Sequence, residues 1–157
     1  LLKCDILSIP KDTAPVISNI WAGTDFSNAS KKVFKVAENL QKTTTAKVKA
    51  MHIYNVPMQF SPYIPKEHLD SKIEGHLKEK YEKFIKKIAF DGALTSEIIL
   101  GRDIGIAEKL ISKAEVSGVD LILVGDKGRN TFSSLLVGSV TEELFNQDME
   151  VPLWIVK

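Results

Sequence analysis

At 157 residues, 44% of them hydrophobic, the chain is long enough for one compact domain with a core of its own. Its 21 basic and 20 acidic residues leave a formal charge of +1, which excludes the broad cationic field of a nucleic-acid binder. The single cysteine, Cys4, excludes an internal disulfide and a cysteine-based zinc site and fits a reducing cytoplasm; it reads either as a reactive thiol or as a small apolar residue. No apolar run approaches the ~20 residues of a membrane span. The first residues also lack the basic-then-apolar pattern of a signal peptide, so a soluble protein without a membrane or nucleic-acid partner is expected.

The segment from Val16 to Ala22 is short, β-branched and aromatic, and ends at Gly23, which predicts a first core strand. Ser27 is placed to cap a helix whose apolar positions are Ala29, Val33, Val36, Ala37 and Leu40, with Lys31, Lys32 and Lys35 outward. Ala46 to Tyr54 predicts a second strand entering the middle of a sheet. Asn55 to Pro65 holds three prolines and no periodicity, as expected of a surface loop that covers a site. From Lys66 to Phe90 an apolar stripe of Leu69, Ile73, Leu77, Tyr81, Phe84, Ile85 and Ile88 predicts an amphipathic helix with a solvated Lys/Glu face.

Ser96 to Leu100 is a third strand, Gly105 to Ser117 a helix lined by Ile106, Leu110, Ile111 and Ala114, and Asp120 to Val124 a wholly apolar fourth strand. Ser139 to Gln147 follows as a helix with Val140, Leu144 and Phe145 inward, and Pro152 to Val156 as a last strand. Strands alternating with helices, the strands nearly continuously apolar, predict an α/β fold: a five-stranded parallel sheet with helices on both faces. A Rossmann-like order 3-2-1-4-5 places the first and fourth strands side by side, and ligands bind where the chain leaves their carboxyl ends in opposite directions.

The fourth strand runs into Gly125-Asp126-Lys127-Gly128, and Gly138-Ser139 opens the last long helix, a spacing of G-x2-G-x9-G-S. Gly125 permits a sharp turn off the strand and Gly128 a positive φ, and neither carries a Cβ that keeps phosphate from the backbone amides. Gly138 and Ser139 present N–H groups and a hydroxyl at a helix amino terminus, which favours an anion. Lys127 and Arg129 either add charge to such a site or are simply solvated. This is neither the P-loop pattern G-x-x-x-x-G-K-[ST] nor a G-x-G-x-x-G turn after the first strand.

The G-x2-G-x9-G-S spacing resembles the signature of the universal stress protein family, in its ATP-binding branch. Gly23-Thr24-Asp25-Phe26-Ser27 resembles that family's hydrophobic-x-D-x-S segment and Met51-His52-Ile53 its L-H-V strand end, so that about residues 16 to 157 are covered. Gly105-Ile106-Ala107-Glu108 departs from the family's usual Gly-x-Pro. The resemblance implies a related architecture, that of the adenine nucleotide alpha hydrolase-like folds, and a bound ATP or other adenine nucleotide, with Mg2+ bridging its phosphates. It implies that Gly23, Thr24 and Asp25 line the ribose and adenine side and that Ile53 touches adenine. The phosphates would lie on Gly125, Asp126, Lys127, Gly128, Arg129 and Asn130 together with Gly138, Ser139 and Val140. Asp25 on its own reads equally as a turn or capping carboxylate, and His52, inside a strand, as a satisfied interior histidine.

Lys3 to Pro10 resembles the chain's own ending, Glu150 to Val156, which predicts that residues 1–15 overhang the domain at 16–157 and include the last strand of a preceding, similar domain; an ordinary amino-terminal strand is the alternative. In the family the final strand pairs with its counterpart, so a homodimer or tandem pseudo-dimer through Leu153–Val156 is expected, and that apolar edge needs covering. No Ser-His-Asp set or zinc-spaced histidines can be assembled from His52, His68 and His76, and no catalytic or metal-ligating residue is assigned. The function expected is a nucleotide-dependent regulatory module in the stress response, against a slow ATP hydrolase on the same fold or a nucleotide-free interaction domain.

Overall fold

Apolar β-branched runs supply the middle of one sheet, and the amphipathic stretches between them cover its two faces. The computed structural model describes residues 4–55, 66–101, 105–127 and 138–157, with side chains from Ser71 onward in the second stretch. In chain order the elements are β1 (Ile6–Ser8), β2 (Asn19–Gly23), α1 (Asn28–Thr44), β3 (Lys47–Tyr54), α2 (Lys66–Ile88), β4 (Leu94–Leu100), α3 (Ile106–Val116), β5 (Leu121–Gly125), α4 (Ser139–Asn146) and β6 (Leu153–Val156). The sheet order is β1-β6-β5-β2-β3-β4. The five strands β2 to β6 are parallel and stand in the expected order. The sheet has one more strand than expected, because the overhang forms β1 and pairs antiparallel with β6, Ile6 opposite Ile155 and Ser8 opposite Leu153. Among the described residues no helix is long and apolar enough to cross a membrane.

Alternation along the strands divides the core in two. Ile20, Ala22, Val48, Ala50, Leu121 and Leu123 pack with Val33, Phe34 and Ala37 of α1 and Phe84 of α2. Trp21, Met51, Ile53, Ile122, Val124, Leu153 and Ile155 pack with Ala107, Leu110 and Ala114 of α3 and Leu144 of α4. Lys113 of α3 forms an ion pair with Glu97 of β4, which Lys49 of β3 also approaches at 3.3 Å. Burial pushes the Glu97 carboxyl up, but the two ammonium groups outweigh it and hold it below the usual carboxylate range.

Two expectations are corrected. The first core strand begins at Asn19 rather than Val16, and Val16 is largely exposed. The physical reason is Asp120: its Oδ2 accepts the N–H groups of both Ser18 and Asn19 at 2.8 Å, and its own N–H donates to Asn19 O at 2.9 Å. That carboxylate ends the loop and starts the ladder between β2 and β5. Phe145 is 52% exposed rather than inward. The inward face of α4 is set by Thr141 and Leu144, three residues apart, and Phe145 falls on its flank.

Ser27 caps α1 as expected, its side chain accepting from Ser30 N–H at 3.3 Å. What the apolar stripe of α1 does not reveal is Glu38, only 5% exposed. Its carboxylate accepts from Lys42 Nζ at 2.8 Å, Lys35 Nζ at 3.3 Å and the N–H of Asp91 at 3.4 Å, so it ties α1 to the turn before β4.

The Lys42 ammonium first, then the Asp91 N–H and Lys35, overcome burial and hold the Glu38 carboxyl at about 2. An unfolded glutamate titrates near ~4.3, so this contribution to stability is complete above that pH and is lost as pH falls towards the folded value. Thermal melts from pH 6 to pH 2 should show Glu38→Gln less stable than wild type at pH 6, with the gap closing as pH drops through this window; a constant gap contradicts the assignment. Gly75 sits exposed inside α2, and a Cβ there meets nothing within 4 Å. Gly75→Ala should therefore stabilise the fold by about 0.5–1 kcal/mol in denaturant titrations, and a loss of stability would contradict this.

Candidate functional site

The strand order reverses between β2 and β5, whose neighbours β3 and β6 lie on opposite sides of them. The carboxyl ends of β2 and β5 therefore border the crevice where parallel sheets take ligands. The two strands meet closely there: a Cβ on Gly23 would lie 3.2 Å from Val124 Cγ1 and 3.4 Å from Leu123 O, so only glycine lets them meet undisturbed.

From Gly23 the chain passes into a turn built almost wholly by local hydrogen bonds. Thr24 N–H donates to Met51 O at 2.9 Å, prolonging the ladder to β3, and Thr24 Oγ1 accepts the N–H of Phe26 at 2.9 Å. Asp25 Oδ1 accepts the N–H of Ser27 at 3.0 Å and the hydroxyl of Ser30 at 2.7 Å. The turn role that the residue type allowed is thus present, bracing the Ser27 cap, and it fixes the orientation of this carboxylate. Phe26 holds a left-handed backbone, φ 62°, an unusual state for a bulky side chain. Its ring is held against His52 at 4.3 Å between centroids, with Phe84 at 5.9 Å and Tyr81 at 6.4 Å. His52 Nδ1 lies 2.7 Å from Thr24 O, which only accepts, so Nδ1 carries the proton and donates. His52 is the satisfied, half-buried interior histidine that its strand position suggested.

The opposite wall is the end of β5 and the start of α4, and three hydrogen bonds knot it together. Thr141 Oγ1 donates to Gly125 O at 2.7 Å, Gly138 N–H donates to Asp126 O at 2.7 Å, and Asp126 N–H donates to Val156 O at 2.8 Å. The chain thus returns to its own strand end after 11 intervening residues, 127–137. Gly138, expected to offer a free amide, spends it on this closure. The amides of Ser139, Val140 and Thr141, in the first turn of α4, have no acceptor within the helix and lie at its positive end. Ser139 is exposed and Val140 half-buried.

The structure therefore brings Gly125, Asp126, Gly138, Ser139 and Val140 to one corner, with Lys127 half-buried beside Asp126, and Gly23, Thr24 and Asp25 to the facing one. Ile53 is buried at the end of β3, opposite Ile99, and its Cγ2 would lie 3.2 Å from a Cβ on Gly101. Gly128, Arg129 and Asn130, and the loop expected to cover the site, fall outside the described residues. Among the described residues no group of three or more His, Cys, Asp or Glu side chains is placed to hold a metal ion. Sequence reasoning missed Ser30, Phe26 and Thr141. The first was legible as a second hydroxyl three residues after Ser27, and Thr141 as a hydroxyl one turn into the helix after Gly138.

A universal stress protein family model matches residues 17–157, nearly the whole chain. The chain belongs to the universal stress protein family. Two relatives from Methanocaldococcus jannaschii carry the same name. Universal stress protein MJ0531 is 29% identical over 164 residues, covering 99% of this chain and 92% of that one. Universal stress protein MJ0577 is 32% identical over 90 residues, a match spanning 57% of this chain and about half, 53%, of that relative. The solved structure of MJ0577 superimposes with a TM-score of 0.74 at 25% identity, covering 90% of this chain and 96% of that one. A universal stress protein solved in complex with cAMP shares the fold, with a TM-score of 0.58 at 21% identity over 90% of this chain and 97% of that one.

Thr141→Ala should cost about 1 kcal/mol, since Gly125 O loses its donor in a half-buried setting, and should speed hydrogen exchange at Gly138 more than at Leu121. Uniform exchange rates across the domain would show that the knot is not a local unit.

Proposed function

We propose that this universal stress protein domain binds an adenine nucleotide, ATP in the first place, and acts as a regulatory module whose bound state other components of the stress response read. The observation that carries the reading is the pair of corners at the topological switch point. One, Gly125-Asp126, has no Cβ at Gly125 and is tied through Gly138 and Thr141 to the helix amino terminus that carries Ser139 and Val140. The other presents Asp25 in a fixed orientation. A polyphosphate suits the first corner, because amide dipoles and the helix end both favour negative charge. Ribose hydroxyls suit the second, because a carboxylate accepts from both. Ile53 and the half-buried Val140 offer apolar contact for a base. Lys127, with Arg129 and Asn130 from the same loop, completes the phosphate set. The relative solved with cAMP supports a nucleotide ligand for the fold.

Mg2+ in this reading arrives on the phosphates and is held chiefly by them, with Asp25 and Asp126 as the nearby carboxylates, consistent with its preference for few protein ligands. We place the domain in the cytoplasm, and we assign no residue to hydrolysis.

Heat denaturation of the purified protein followed by chromatography of the supernatant should release adenine nucleotide, or the refolded protein should take up ATP in equilibrium dialysis. Ser139→Glu separates the site from the fold. A carboxylate in the first turn suits the helix dipole, so melting temperature should hold, while repulsion at the phosphates lowers ATP affinity at least about tenfold. Unchanged affinity in that variant would refute the site.

A further inference from the structure

At the amino ends of β2, β3 and β4, the far end of the sheet from the crevice, the face that α3 covers is left partly open. Parallel register sets two rows of side chains there: Asn19 stands opposite Lys47, and Trp21 opposite Lys49, which in turn stands opposite Thr95. The helix stops short of these rows. α3 ends at Val116, the N–H of Ser117 turns back to Ala114 O at 3.1 Å, and Gly118, at φ 63°, leads the chain away towards β5. A hollow of about 300 Å³ results, lined among others by Trp21, Lys47, Lys49, Ala93, Thr95 and Ser117.

Its walls differ in character. Trp21 belongs to the core, 3% exposed, and gives the hollow an aromatic surface. Lys49 reaches Glu97 Oε2 at 3.3 Å, but that carboxylate also pairs with Lys113, and Lys47 is exposed and enters no ion pair among the described residues. The Asp120 carboxylate, at the start of β2, is already taken by the amides of Ser18 and Asn19. Three ammonium groups thus outnumber the one carboxylate between them, and the local balance favours an incoming anion. On the β2 side, where Asn19 Nδ2 donates to Gly118 O at 3.2 Å, the last carbonyls of α3 present the negative end of the helix. That end favours a hydroxyl or N–H and opposes a second negative charge.

We propose that this hollow binds a small aromatic monocarboxylate, with its carboxylate between Lys47 and Lys49, its ring against Trp21 and a polar edge towards Ser117. The size suits a single substituted ring, since pockets for larger ligands run from about 300 to 1,000 Å³. The charge pattern suits one negative group beside the lysines and a donor at the helix end, a combination that a phosphate dianion does not offer. Thr95 Oγ1 donates to Val48 O at 3.4 Å, which leaves its lone pairs to accept from the ligand. The hollow shares no residue with the crevice at the opposite end of the strands, so this ligand and a nucleotide bind without competing.

The test is a titration of the isotope-labelled full chain with p-hydroxybenzoate, followed by amide chemical shifts. Saturable shifts should centre on Asn19, Lys47, Lys49, Thr95 and Ser117, with a dissociation constant of about a millimolar or below, while Ser139 and Val140 stay unmoved. The uncharged p-hydroxybenzamide should bind about tenfold more weakly. Lys47→Gln, at an exposed position without an ion pair, should weaken the acid about two- to fivefold with the melting temperature unchanged. Thr95→Phe, which fills the hollow from an exposed position, should abolish the shifts; if that variant melts early, Lys47→Gln carries the test. No saturable shifts at millimolar acid, equal binding of acid and amide, or tighter binding of inorganic phosphate at the same amides overturns the proposal. Shifts centred on Ser139 and Val140 overturn it as well, since they assign the acid to the crevice.

Discussion

The site depends on one short closure, in which the chain that leaves β5 at Gly125-Asp126 is recaptured by the first turn of α4. Three hydrogen bonds perform it, from Thr141 to Gly125, from Gly138 to Asp126 and from Asp126 to Val156. Because the last of these reaches the neighbouring strand, the corner is anchored to the sheet as well as to the helix. Helix dipole and strand end then act on the same volume, which a loop without such a tie would not enforce.

The facing corner is held by different means. Asp25, Ser27 and Ser30 bond to one another within a single helix start, and an aromatic group of Phe26, His52, Phe84 and Tyr81 keeps Phe26 in a backbone state it would not choose. That strain, of the order of 1–3 kcal/mol, is offset by packing contributed from β3 and α2, so the turn is a tertiary construction despite its short sequence. His52 takes part as a donor to Thr24 O and as a ring surface.

Much of this was legible in the residues because period and punctuation agree. Four helices and five strands of the parallel sheet could be drawn from apolar spacing, and Gly23, Gly125 and Gly138 marked the turns. What escaped was whatever depends on partners distant in sequence. Glu38 looks like a solvent-facing charge on α1 until Asp91, 53 residues away, is brought beside it. Phe145 looks like core by type and spacing, but α4 turns Thr141 and Leu144 inward and leaves Phe145 52% exposed. Val16 has the composition of a strand, yet pairing begins only where Asp120 permits. The commitment of the Gly138 amide was equally hidden, since a glycine at a helix start reads the same whether its N–H faces a ligand or a carbonyl.

Asp120 also bears on the opposite end of the molecule. By gripping the consecutive amides of Ser18 and Asn19, where β2 begins, it fixes how far that strand can slide along β5, at the amino ends. A slide of a single residue would turn every side chain of β2 to the other face of the sheet. The levels at which Gly23 and Gly125 emerge, about 13–16 Å along the strands at ~3.3 Å per residue, are thus decided by a carboxylate that never nears the crevice. Alignment of the two corners is inherited from the far side of the sheet.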